Sequence, residues 1–146
     1  MNAVSPNTER RASEPQPRGG FALHVVPAVL WAAAIFVGGS SGVPQPQVDI
    51  GIPFDKVNHV VAFSGLQLLS YRALRYALPA AQRRSLRWLA ALAAVLVGVA
   101  LELYQLGLPD RSAEVADVVA DSVGALLGVL VLSLFAKARA GGLAKS

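Results

Sequence analysis

The feature that most constrains this chain is a series of apolar runs, each about as long as a bilayer is thick. Residues 21–39, FALHVVPAVLWAAAIFVGG, contain no Asp, Glu, Lys or Arg. At about 1.5 Å per residue, a helix of that length just crosses a hydrocarbon core of about 30 Å. Residues 86–106 form a second run of Leu, Ala and Val, with Gly98, Glu102 and Gln105 toward its far end. Residues 115–135 form a third, apolar except for Asp117, Asp121 and two serines. Between the first two lies a stretch from Lys56 to Leu78 that is apolar in outline but carries Asn58, His59, Gln67, Arg72 and Arg75. A lipid-facing helix does not tolerate that polar load, so these residues must face protein or lie near the helix ends. The expected fold is therefore an all-α membrane protein of four transmembrane helices occupying residues 21–135.

Composition agrees: 54% of the 146 residues are hydrophobic, 15% are charged, and the mean hydropathy is +0.50. Residues 1–20 hold Pro, Ser, Asn, Glu and Arg with almost no large apolar side chain, which reads as a disordered cytoplasmic tail. Residues 136–146 read as a second cytoplasmic tail. The absence of cysteine excludes a disulfide framework and a thiolate metal site, and no cofactor is expected. Pro27 is tolerated in a membrane span and is expected to kink the first helix at most. His24, near the end of that run, suits an interfacial position.

Lys and Arg set the orientation. Eleven of the thirteen fall before the first run, around the turn between the second and third helices, or after the last run. Lys56 and Arg111 alone are on the other side. Seven of the nine acids lie in or beside the loops at 40–55 and 106–114. Both termini are thus expected in the cytoplasm of a bacterium, with those loops facing out from its inner membrane. The same distribution explains the net charge of +4 without nucleic acid, which is not expected as a partner. A cleaved signal peptide is the alternative reading of the first run, but the run exceeds the usual length of such an apolar region. Arg10-Arg11 is read as a positive flank, not as a twin-arginine export signal.

The polar residues have helical spacing. Lys56, His59 and Phe63 share one face, with Asp55 one turn before His59. Gly98, Glu102 and Gln105 share a second. Asp117, Asp121, Gly124 and Gly128 form a third, with two carboxylates above a G-x-x-x-G step. Burying a carboxylate in lipid costs roughly 2.5–3.5 kcal/mol on insertion scales, so Glu102 and Asp121 need partners or water. The expected outcome is an outward polar cavity formed by Asp55, Lys56, His59, Phe63, Glu102, Gln105, Arg111, Asp117 and Asp121. Gly98, Gly124 and Gly128 would serve close helix packing. Arg111 is expected to fold back onto Glu102, with Asp117 as its competing partner. The bland alternative is that these polar groups only tie the helices together.

Two blocks then resemble the VanZ-like family of membrane proteins. Lys56 to His59, followed by Phe63, resembles the element K-x-x-H-x-x-x-F. Glu102, Gln105, Pro109 and Arg111, running through Glu114 into Asp117, Gly124 and Gly128, are similar to E-x-x-Q-x-x-x-P-x-R followed by D-x-x-x-N-x-x-G-x-x-x-G. The resemblance covers residues 50–135 and implies a four-helix membrane domain. For the family's namesake it also implies reduced susceptibility to teicoplanin. Asp121 departs from the pattern, standing where the family usually has asparagine.

Three functions remain open on the sequence. The first is binding of a membrane lipid or lipid-linked envelope intermediate in the cavity, with Lys56 and Arg111 on phosphate or carboxylate and an effect on glycopeptide susceptibility. The second is an intramembrane enzyme with His59 or Glu102 as general base and Arg111 stabilising negative charge. The third is a component of proton-linked transport using Glu102 and Asp121. No serine or cysteine elbow and no H-E-x-x-H motif supports a hydrolase or zinc protease. A metal held by His59 and two carboxylates is a weaker reading than any of these.

Overall fold

A computed structural model describes residues 18–41, 53–78, 83–109 and 112–143. These form four helices: α1 (Arg18–Ser40), α2 (Phe54–Ala77), α3 (Arg83–Gln105) and α4 (Val115–Leu143). Among the described residues no strand is present. Three helices, α1, α3 and α4, carry segments long and apolar enough to cross a membrane. α2 does not meet that standard, in keeping with its polar load.

The helices end where local chemistry dictates. α1 runs unbroken through Pro27 and begins at Arg18, inside the expected 1–20 tail. The rest of that tail, residues 1–17, lies outside the described residues, as does most of the 40–55 loop. α2 stops at Leu78, which is extended at φ −117° and ψ 150°. Pro79 imposes this, since a proline ring disfavours the α region for the residue before it. α4 continues to Leu143, so most of the expected 136–146 tail is helical. Lys137, Ala138, Arg139 and Ala140 are good helix formers, and lysine and arginine stems can reach past an apolar boundary.

The residues that face inward show what solvent the bundle is built for. On α3 the buried positions include Ala90, Ala94 and Gly98, while Leu89, Leu92, Leu96 and Leu103 point outward. On α4 Ala120, Gly124, Ala125 and Gly128 are inside, while Val123, Leu126, Leu130 and Leu134 are outside. Phe63, Leu66, Leu86 and Leu101 are buried as well, but many small residues lie inside and most of the large apolar ones outside, the reverse of a water-soluble bundle. They suit lipid, where association depends on close backbone approach. This is the architecture of a membrane protein.

α2 is the central helix. It packs against α1, α3 and most extensively α4. Its contacts with α4 advance in step: Lys56 meets Asp117, His59 meets Asp121, Ser64 meets the Gly124 carbonyl, and Gln67 lies against Gly128. The two helices are therefore parallel. α1 runs antiparallel to α2, for Trp31 Nε1 donates to the Ala62 carbonyl at 2.9 Å and Arg72 Nε donates to His24 Nδ1 at 3.0 Å. His24, expected only at an interface, also stacks on Tyr76 with ring centroids 4.7 Å apart. α3 is antiparallel to α2 and α4, joined to α2 by Gln67 Nε2 donating to the Arg87 carbonyl at 3.3 Å. Arg87 Nη1 reaches Ser133 Oγ on α4 at 2.7 Å.

Candidate functional site

The N-termini of α2 and α4 meet at one end of the bundle, beside the C-terminus of α3. Asp55 and Asp117 lie in the first turns of α2 and α4, where the exposed backbone N–H groups favour negative charge. Lys56 joins the two helices. Its Nζ is 3.0 Å from Asp55 and 2.7 Å from Glu114, and it also pairs with Asp117. An ammonium has three donors. With three carboxylates around it, Lys56 ties the start of α2 to that of α4.

One turn deeper, His59 Nδ1 lies 2.7 Å from Asp121 Oδ1. Asp121 is 0% exposed and sits behind the ring. His59 Nε2, on the opposite ring edge, is 3.9 Å from Asp117 Oδ1. Phe63 stacks parallel to the imidazole at 6.2 Å and is itself buried, so the ring has an apolar floor. Gly98 makes room for the carboxylate: a Cβ there would run into Asp121 Oδ2. Gly124 does the same for the backbone, since its Cβ would strike the Val60 carbonyl. At Gly128 the obstacle would be the Gln67 side chain. The spacing of these glycines thus has a steric cause at each position.

Glu102 is 5% exposed and accepts the Glu114 backbone N–H at Oε2, 2.7 Å away. Glu114 precedes the first residue of α4, so this bond fixes where that helix starts. Gln105 Nε2 donates to the Gly39 carbonyl at 2.9 Å and secures the end of α1. Between these elements opens a cleft of about 360 Å³, whose walls include Asp55, His59, Phe63, Gln105, Glu114 and Asp117. Ile35, Gly38 and Leu101 complete its apolar side. Lys56, Glu102 and Asp121 lie next to the cleft but do not form its walls.

Most of the residues expected to converge are therefore close together, with two exceptions. Arg111 lies outside the described residues, and so does any pairing with Glu102. Glu102 accepts a backbone donor at Oε2 and does not form a wall of the cleft. Among the described residues no group of three His, Asp or Glu side chains is arranged to hold a metal ion.

Sequence reasoning named Glu114 only within the family motif and Gln67 only as part of the polar load of the second helix, and it passed over Ser64. Ser64 Oγ donates to the Gly124 carbonyl at 2.8 Å, and Gln67 is fully buried between α2, α3 and α4. Both extend the stripe of Lys56, His59 and Phe63 by another turn. Following that stripe further would have found them.

Comparison of the chain with curated proteins and with solved structures returns no match. A family model does match, described as VanZ/LLP1 and covering residues 6–136. That span takes in three whole helices, most of α4 and both motif blocks, and the chain accordingly belongs to the VanZ/LLP1 family.

Proposed function

We propose that this protein binds the polar headgroup of a membrane lipid or lipid-linked envelope intermediate in the cleft at the N-termini of α2 and α4. The carrying observation is the cleft itself: about 360 Å³ of space with polar walls, set in a bundle whose outer faces are Leu and Val. A headgroup can enter such a space while its acyl chains remain against those faces. Because Lys56 is engaged by carboxylates, Arg111 is the residue proposed to meet a phosphate. In this reading α2 is the fourth span, supported by its parallel register with α4 from Lys56 to Gln67. The cleft then opens toward the outer leaflet of the bacterial inner membrane, with both termini cytoplasmic.

Mass spectrometry of lipids retained after purification in mild detergent tests the proposal. A phosphate-bearing lipid retained by the intact chain and lost in Arg111→Ala supports it. A lipid-free protein, or equal retention by the variant, counts against it. If the retained species is a lipid-linked cell-wall intermediate, loss of the protein should change the growth-inhibitory concentration of teicoplanin. The second reading, an intramembrane acid–base enzyme, is favoured by the carboxylate behind His59, an arrangement that orients an imidazole for proton transfer. Chemical conversion of the added lipid, absent in His59→Gln, would select it.

A further inference from the structure

We infer that the cleft recognises a primary ammonium group, which donates a hydrogen bond to His59 Nε2, and that Asp121 is the residue positioning His59 for this. The inference rests on the headgroup-binding reading above and names the chemical class of the headgroup.

The geometry begins behind the ring. An ionised carboxylate only accepts hydrogen bonds, so at 2.7 Å from Asp121 Oδ1 the proton of a neutral His59 belongs on Nδ1. That leaves Nε2 as a lone-pair acceptor. Nε2 lies on the ring edge nearer Asp117, a wall residue of the cleft, whereas Asp121 is enclosed behind the ring with Gly98 against it. Phe63 lies parallel to the imidazole and offset from it, with ring centroids 6.2 Å apart. When neutral, His59 therefore presents an acceptor, in the tautomer that Asp121 selects, to a space large enough for a headgroup.

Charge selects the donor. Asp55, Glu114 and Asp117 all border the cleft, and Lys56 supplies one positive charge among the three. The described walls thus retain an excess of negative charge, and Asp121 adds to it from behind. An ammonium group relieves that repulsion, while a glycerol hydroxyl beside a phosphate brings more negative charge. A quaternary ammonium carries the positive charge but has no N–H to give Nε2. A primary ammonium meets both requirements.

The full chain labelled with ¹⁵N-histidine contains two observable rings, His24 and His59. It is placed in nanodiscs of phosphatidylcholine, alone or with one fifth phosphatidylethanolamine or phosphatidylglycerol. The inference expects the His59 Nδ1–H tautomer in all three. It further expects the Nε2 resonance to move toward the hydrogen-bonded range with phosphatidylethanolamine alone, while His24 is unchanged. Asp121→Leu should abolish both the tautomer and the response. Asp121→Asn retains an acceptor for Nδ1–H and should restore the tautomer, which distinguishes positioning from a general folding defect. An Nε2–H tautomer in the intact chain overturns the role of Asp121. Equal responses to phosphatidylglycerol and phosphatidylethanolamine overturn the ammonium preference but leave headgroup binding standing. No response to any lipid, with no lipid retained on purification, overturns both.

Discussion

Glu102 and Glu114 are joined by a single bond, in which the buried carboxylate of α3 accepts the backbone N–H that precedes α4 at 2.7 Å. The contact closes the loop between the two helices from the inside. It needs an acceptor, not a charge. Glu102→Gln keeps a carbonyl oxygen for the Glu114 N–H and should alter stability by less than about 1 kcal/mol. Glu102→Leu leaves that N–H without its partner and should cost about 1–3 kcal/mol. Thermal unfolding in detergent separates the two. Equal losses for Gln and Leu would mean that the charge of Glu102, not its acceptor, supports the fold.

Lys56 and Asp117 link the first turns of α2 and α4, with side chains 19% and 13% exposed. Removing either partner leaves the other charged in a site with little water. Lys56→Met and Asp117→Asn should each lower stability, and the double variant should lose less than the sum. A coupling of about 0.5–3 kcal/mol is the range for side chains in one ionic network. Simple additivity would show that Glu114 and Asp55 hold Lys56 equally well without Asp117.

Much of this site was legible from spacing alone. Lys56 and His59 on one helical face meet Asp117 and Asp121 on another, and Gly124 and Gly128 continue that second face against Val60, Ser64 and Gln67. Periodicity gives a face but not its partner, so the expected bond from Arg111 to Glu102 had no comparable support. The backbone N–H that Glu102 accepts leaves no mark in the sequence, because every residue but proline offers one. The central place of α2 is another matter. Its weak hydropathy was visible, and the cause, shielding by three more apolar helices, follows only from their packing.

Gly98 and Gly124 answer different obstacles, and their substitutions should differ in consequence. At Gly124 a methyl group meets the Val60 carbonyl, part of a helix backbone that cannot rotate away. Gly124→Ala must push α2 from α4 and should cost about 1–3 kcal/mol, the usual range for overpacking. At Gly98 the methyl meets the Asp121 carboxylate, which is held by His59. Gly98→Ala should therefore disturb the His59 ring nitrogens as well as lower stability. Nitrogen spectra that remain native in Gly98→Ala would show that Asp121 has room to retreat.

The fold finally constrains topology. Three crossings, by α1, α3 and α4 alone, would put the chain termini on opposite sides of the membrane. But α2 and α4 are parallel, and their paired positions run from Lys56 and Asp117 at one end to Gln67 and Gly128 well along the bundle. On the proposal that α2, a helix of 24 residues and about 36 Å, crosses beside α4, four crossings return the C-terminus to the side of the N-terminus. Arg72, Arg75 and Arg87 lie toward that same side, which the proposal makes cytoplasmic from the excess of positive charge. A reporter fused after Ser146 should read cytoplasmic, and one inserted near Gln47 external. Intact mass should show that α1 is retained, since it holds Ala62 and Arg72 of α2. An external reading at Ser146 would remove α2 from the membrane and, with it, the route by which a headgroup reaches the cleft from the outer leaflet.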